Sequence, residues 1–198
     1  MPTSAVNRKI TESGIAEHKE LLSRSEPLIQ TFVDEAAVRL RTCFEDGGKV
    51  LIAGNGGSAA DAQHLAAEFV GRYSFDRPGL PALALTTDSS ALTAIANDYG
   101  YNRVFARQVE ALGAARDVFI GISTSGNSPS ILEALDAARS RRMTTLTLLG
   151  DKGGKALEKS DLALVIPSAL TARIQEMHLL AEHLLCEAVE ISMFRARL

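Results

Sequence analysis

Val118-Phe-Ile-Gly-Ile-Ser-Thr-Ser-Gly-Asn-Ser-Pro129 is the stretch from which the fold can be read. Val118 to Ser123 is a short apolar run without polar alternation, as expected of a strand buried on both faces. Four hydroxyl residues then fill the six positions from Ser123 to Ser128. Ser128 suits the N-cap of a helix and Pro129 its first turn, so Ser130 to Arg141 reads as a helix. A buried strand, a ligand-type loop and a helix in this order form one unit of a parallel sheet.

The same unit recurs on both sides. Further strands are expected over Lys49–Ala53, Ala82–Thr86, Thr144–Leu149 and Leu162–Ile166, each apolar and ending near a turn signal. Helices are expected over Ser58–Val70, Ser89–Asn97, Arg103–Leu112 and Ala172–Phe194. Before the first strand, apolar residues at helical spacing in Ile15–Leu22 and Leu28–Phe44 predict two helices ending at Gly47-Gly48. The fold class is therefore α/β, a five-stranded parallel sheet covered on both faces with extra N-terminal helices. The 198 residues are expected to form one domain, with residues 1–46 packing on it.

Composition narrows the function. A net charge of −3 argues against nonspecific nucleic-acid or anionic-membrane binding. No apolar run approaches the roughly 20 residues needed to span a bilayer, and the polar first 20 residues lack a signal-peptide core. Cys43 and Cys186 lie far apart with no metal spacing and read as core thiols of a cytoplasmic protein.

Ligands of such sheets sit beyond the carboxyl ends of the strands. At one end, Ser123, Thr124, Ser125 and Ser128 offer neutral hydroxyl donors at a helix N-terminus, which holds phosphate without needing a lysine. Capping alone needs one hydroxyl. At another, Asn55-Gly56-Gly57-Ser58 follows a strand, and its glycines suit a backbone packed close to a ligand. It has neither the G-x-G-x-x-G order nor the lysine of a P-loop.

Four histidines occur: His18, His64, His178 and His183. His64 and Glu68 share a helix face at i, i+4. Gln175 and His183, at i, i+8, differ by about 80° around the last helix, so one broad face carries both. Two imidazoles, a carboxylate and an amide oxygen suit a divalent metal such as zinc, and His with Glu also suits acid–base chemistry. A solvated helical pair at His64 and Glu68, with an interior His183, is an equal reading of the residues alone. His18 and His178 read as structural.

The segment Ala53-Gly-Asn-Gly-Gly-Ser-Ala-Ala-Asp-Ala-Gln-His64-Leu-Ala-Ala-Glu68-Phe, the loop Ser123-Thr-Ser-Gly-Asn-Ser128, Asn97-Asp98, and Arg173-Ile-Gln175-Glu with His183 resemble the phosphoheptose isomerases. These are a family of the sugar-isomerase (SIS) domain class with a flavodoxin-like fold, and the likeness covers nearly the whole chain. It implies a three-layer α/β/α sandwich, a homotetramer with the terminal helices in its contacts, and one zinc ion (Zn2+) per subunit. It implies conversion of sedoheptulose 7-phosphate to D-glycero-D-manno-heptose 7-phosphate, the first step towards the heptose of the lipopolysaccharide core. By the same likeness, Ser58, Ser123, Ser125 and Ser128, helped by Thr124, hold phosphate. Asn55, Gly56, Gly57, Asn97 and Asp98 line the sugar site. His64, Glu68, Gln175 and His183 bind the metal, Glu68 and Gln175 also meet substrate, and Glu68 and His183 are the catalytic pair. Ala172 departs from the family pattern, where some members carry an acidic residue. The alternative is a non-catalytic SIS-domain protein that associates with the replication initiator. Such relatives lose the positions of Glu68 and His183, and both are present here.

Overall fold

The computed structural model describes residues 3–195. Five parallel strands, β1 (Val50–Gly54), β2 (Ala82–Ala84), β3 (Val118–Ser123), β4 (Thr144–Gly150) and β5 (Leu162–Ile166), form one sheet in the order β2-β1-β3-β4-β5. The register runs Val50 opposite Val118 on one side and Val118 opposite Thr144 on the other. β1 and β3 are adjacent, and the chain leaves them towards opposite sides of the sheet, which makes their carboxyl ends the topological switch point.

Side chains alternate across the sheet, so each strand feeds two cores. Val50, Ile52, Val118, Ile120, Ile122, Leu146 and Leu148 pack beneath α1 (Thr3–Glu45), α2 (Gly57–Val70) and α7 (Thr171–Phe194). Leu51, Ala53, Phe119 and Leu149 pack on the other face, beneath α4 (Ala106–Leu112), α5 (Pro129–Ser140) and α6 (Gly154–Leu157). The outer edge of that layer is α3 (Ser89–Tyr99) and a 3-10 turn at Tyr101–Arg103. This is the three-layer α/β/α arrangement. Both cysteines are buried and free, and burial pushes both thiols up, Cys43 to about 11.

The N-terminal region departs from expectation. Instead of two helices, Thr3–Glu45 is one helix of 43 residues with Pro27 inside it. Proline removes one backbone donor, which frees the carbonyl of Ser23. Ser23 and Pro27 are both exposed, so water can satisfy that carbonyl, while buried Leu21, Ile29, Phe32 and Leu40 hold the helix to the core on either side. The helix is about 65 Å long. Its first turns carry exposed Val6, Ile10 and Ile15.

Candidate active site

The glycine loop leaves β1 and opens directly into α2. Asn55 is fixed from two sides: its Nδ2 donates to Ser130 Oγ at 3.0 Å, and its Oδ1 accepts from Tyr101 Oη at 2.8 Å. Gly56 stands at the N-cap of α2. Gly57 lies against Gln175 of α7, and a Cβ added there would run into Gln175 Nε2. Any side chain at this position would displace the amide. Ser58 is buried in the first turn of α2.

The serine loop leaves β3 next door. Buried Ser123 and half-buried Ser128 share a hydroxyl hydrogen bond of 3.1 Å. Ser128 is the N-cap of α5, as expected, with Pro129 after it, but its hydroxyl makes no capping bond. Ser125 Oγ accepts from Asn127 N at 3.1 Å, and Thr124 and Ser125 remain accessible. Asn127 also accepts from Lys155 N, which ties the loop to α6. Gly126 has a φ of +63°, and a Cβ there would run into the backbone of Gly153, so the turn requires glycine.

Asn97 and Asp98 occupy the exposed end of α3, where Asn97 Nδ2 donates to Asp98 Oδ1 at 2.8 Å. Tyr101, just beyond them, is the residue that binds Asn55, so this corner is anchored to the rim of the glycine loop.

The histidine–carboxylate group assembles between α2 and α7. His64 Nε2 lies 2.7 Å from His183 Nε2 and 3.7 Å from Glu68 Oε1. One imidazole must therefore present a bare nitrogen to the other, the state in which histidine binds a metal. Potential ligand atoms of His64, Glu68 and His183 all lie within 4.8 Å of one another. Zinc bonded to such nitrogens and oxygens holds neighbouring ligands about 3–4 Å apart, so the donor set fits with small side-chain adjustments. The Gln175 amide lies against Gly57, in the first turn of the helix that carries His64 and Glu68.

Glu182, next to His183 in sequence, is buried with neither carboxylate oxygen hydrogen-bonded, and burial, then the charge of Asp61, pushes it up to about 9. The Tyr73 ring lies 5.8 Å from the His183 ring, and burial and the nearby Glu187 raise its phenol. His178 is buried, and its Nε2 lies 3.0 Å from the Leu149 carbonyl. His18 Nδ1 pairs with Glu176 Oε2 at 2.7 Å, and Arg173 bonds to the Gly14 carbonyl and to Glu176. Through His18, Arg173 and Glu176 these contacts tie α1 to α7, and the His178 contact ties α7 to β4.

Tyr101, Ser130 and Tyr73 were not anticipated. Ser130 resembles an ordinary residue of a first helical turn, and Tyr101 and Tyr73 lie in irregular segments, so only three-dimensional proximity reveals them.

Residues 15–150 match the SIS domain family model. The chain is 56% identical over 173 residues to the phosphoheptose isomerase of Helicobacter pylori (strain P12), covering 87% of this chain and 90% of that protein. It is 52% identical over 193 residues to that of Burkholderia pseudomallei (strain 1710b), covering 95% and 98%. The solved structure of phosphoheptose isomerase GmhA from Neisseria gonorrhoeae superposes with a TM-score of 0.88 at 45% identity, over 92% of this chain and 98% of that one.

Proposed function

The chain belongs to the SIS domain family and, within it, to the phosphoheptose isomerases, and on that premise we propose that it interconverts sedoheptulose 7-phosphate and D-glycero-D-manno-heptose 7-phosphate as an aldose–ketose isomerase. The observation that carries the reading is the meeting of His64, Glu68 and His183 between α2 and α7. These helices belong to the sheet face whose switch point carries both ligand loops.

The phosphate binds at Ser123, Thr124, Ser125 and Ser128, with Ser58 in the first turn of α2. The N-terminus of α5 adds favourable partial charge. Asn55, Gly56 and Gly57 hold the sugar, with Asn97 and Asp98 at the rim and the Gln175 amide against the glycine loop. Glu68 removes the proton from C1 of the ketose. His183 moves a proton between the two oxygens, so that the cis-enediol collapses to the aldehyde at C1. Glu68 returns the proton to C2. Atoms balance with no external donor. His64, Glu68 and His183, with Gln175 as fourth ligand, would hold one zinc ion per subunit. When bound, the ion would polarise the carbonyl and stabilise charge on the enediol oxygens.

The apolar residues near the start of α1 support a homotetramer, with the terminal helices in its contacts. No described helix is long and apolar enough to cross a membrane, and we place the enzyme in the cytoplasm. Residues 1–198 act as one domain. The initiator-binding alternative finds no support: the named relatives are isomerases, and Glu68 and His183 stand together.

The test is to incubate purified protein with sedoheptulose 7-phosphate in D₂O. Aldoheptose carrying deuterium at C2 is expected. Glu68→Gln and His183→Gln should each lower kcat by about 10²–10⁴ while phosphosugar binding persists. Metal content measured beside the rates separates loss of acid–base function from loss of metal. Wild-type protein giving neither product nor label would overturn the reading.

A further inference from the structure

Glu190, on α7, is fully buried and accepts five hydrogen bonds. Its Oε1 takes the Ser74 backbone N–H at 2.7 Å, the Ser74 hydroxyl at 2.8 Å and the Phe75 N–H at 3.2 Å. Its Oε2 takes the Tyr73 N–H and Arg77 Nε, both at 2.8 Å. Burial alone would raise this carboxyl, but the donors around it hold it down at about 2.

The Arg77 side chain is equally buried, and its remaining donors turn to the end of α2. One terminal nitrogen donates to the carbonyls of Phe69 at 2.8 Å and Pro78 at 3.0 Å, and the other donates to the Glu68 carbonyl at 2.9 Å. The last carbonyls of a helix lack partners within it, and a cation there meets the negative end of the helix dipole. The guanidinium thus caps α2 at the residue assigned as base. Through Glu190 it is also bonded to α7, seven residues beyond His183 and on nearly the same face.

We propose that Arg77 and Glu190 are positioning residues for the isomerisation, setting the separation of Glu68 from His183 by locking the end of α2 to α7. The proposal rests on the assignment of Glu68 and His183 to the reaction. A forked, planar cation is required, because a single ammonium cannot reach Glu190 and the α2 carbonyls together.

Arg77→Lys keeps the charge and removes the fork. In this variant kcat should fall about 10–100-fold, the usual effect of a residue that orients a ligand or base. KM should stay near wild type, because the serine loop is untouched. A second readout is independent of turnover: Co(II) titrated into the metal-free protein should bind more weakly and give an altered visible spectrum. If Arg77→Lys does not fold, Glu190→Gln, of equal length, and Ser74→Ala, which removes a single bond from an exposed residue, are read by the same measurements. Ser74→Ala should give a smaller change in the same direction. Folded variants with wild-type kcat and an unchanged cobalt spectrum would overturn the proposal. If Glu68→Gln itself keeps full activity, the assignment of Glu68 as base falls instead, and the cobalt spectrum alone decides whether the lock positions the trio.

Discussion

Gly57 and Gln175 are mutually exclusive in volume beyond a hydrogen: a Cβ on Gly57 would run into the Gln175 amide nitrogen. Gly57→Ala should therefore push the amide out of the site rather than unfold α2, since a flexible side-chain end yields more readily than backbone. Stability should fall by no more than about 1–3 kcal/mol, the range for overpacking. The value of kcat/KM should fall as far as it does in Gln175→Ala. In the Gln175→Ala background, Gly57→Ala should cost little more, because the clash is gone. Kinetics and thermal unfolding of the two single variants and the double variant check this.

The serines of the phosphate loop should separate by burial. Ser125→Ala removes an accessible hydroxyl and should raise KM for the phosphosugar without changing stability. Each lost bond to a charged group is worth about 1.5–3 kcal/mol. Ser123→Ala should also destabilise the fold by about 1 kcal/mol, because the Ser128 hydroxyl loses its partner. Steady-state kinetics with denaturant unfolding distinguishes the two effects.

Burial pushes His178 down to about 4, against the opposing bond to Leu149. Between its ordinary value near 6.5 and about 4, the unfolded chain takes up a proton that the folded chain refuses. Stability contributed by neutral His178 is thus intact above that window and lost as pH falls through it. The loss reaches about 3 kcal/mol. Urea unfolding at pH 7.5, 6 and 5 should show a steeper acid loss for wild type than for His178→Gln. Equal slopes would mean that the folded ring takes up its proton over the same pH range as the unfolded chain.

Assembly should depend on the first turns of α1. Removing residues 1–20 takes away Val6, Ile10 and Ile15 but leaves Leu21, Ile29, Phe32 and Leu40 in the core. Sedimentation should show a species smaller than the tetramer proposed for the full-length protein, with the fold intact. Removing residues 1–46 uncovers the parts of β5 and α7 that α1 packs on and should give insoluble protein. A full-length protein that sediments as a monomer would contradict the tetramer.

The sheet was legible because its strands are unbroken apolar runs between helices, and both ligand loops because serines and glycines cluster at strand ends. His64 and Glu68 could be paired from helical spacing, but their meeting with His183 could not be derived from it, since 119 residues separate the two histidines. Two features misled or stayed hidden. The polar stretch around Pro27 looks like a break, yet its exposed side lets the helix run on. Arg77 and Glu190 look like surface charges, and only their mutual burial shows otherwise.

The pairing of His64 with His183 sets the order in which the protein becomes competent. Every strand emerges from the ribosome before α7 does. A nascent chain can lay down its sheet and display both loops while the third member of the trio, His183, is still unmade. Chemistry therefore begins only when the last helix docks, so a C-terminally shortened chain would offer a phosphate cradle without a reaction centre.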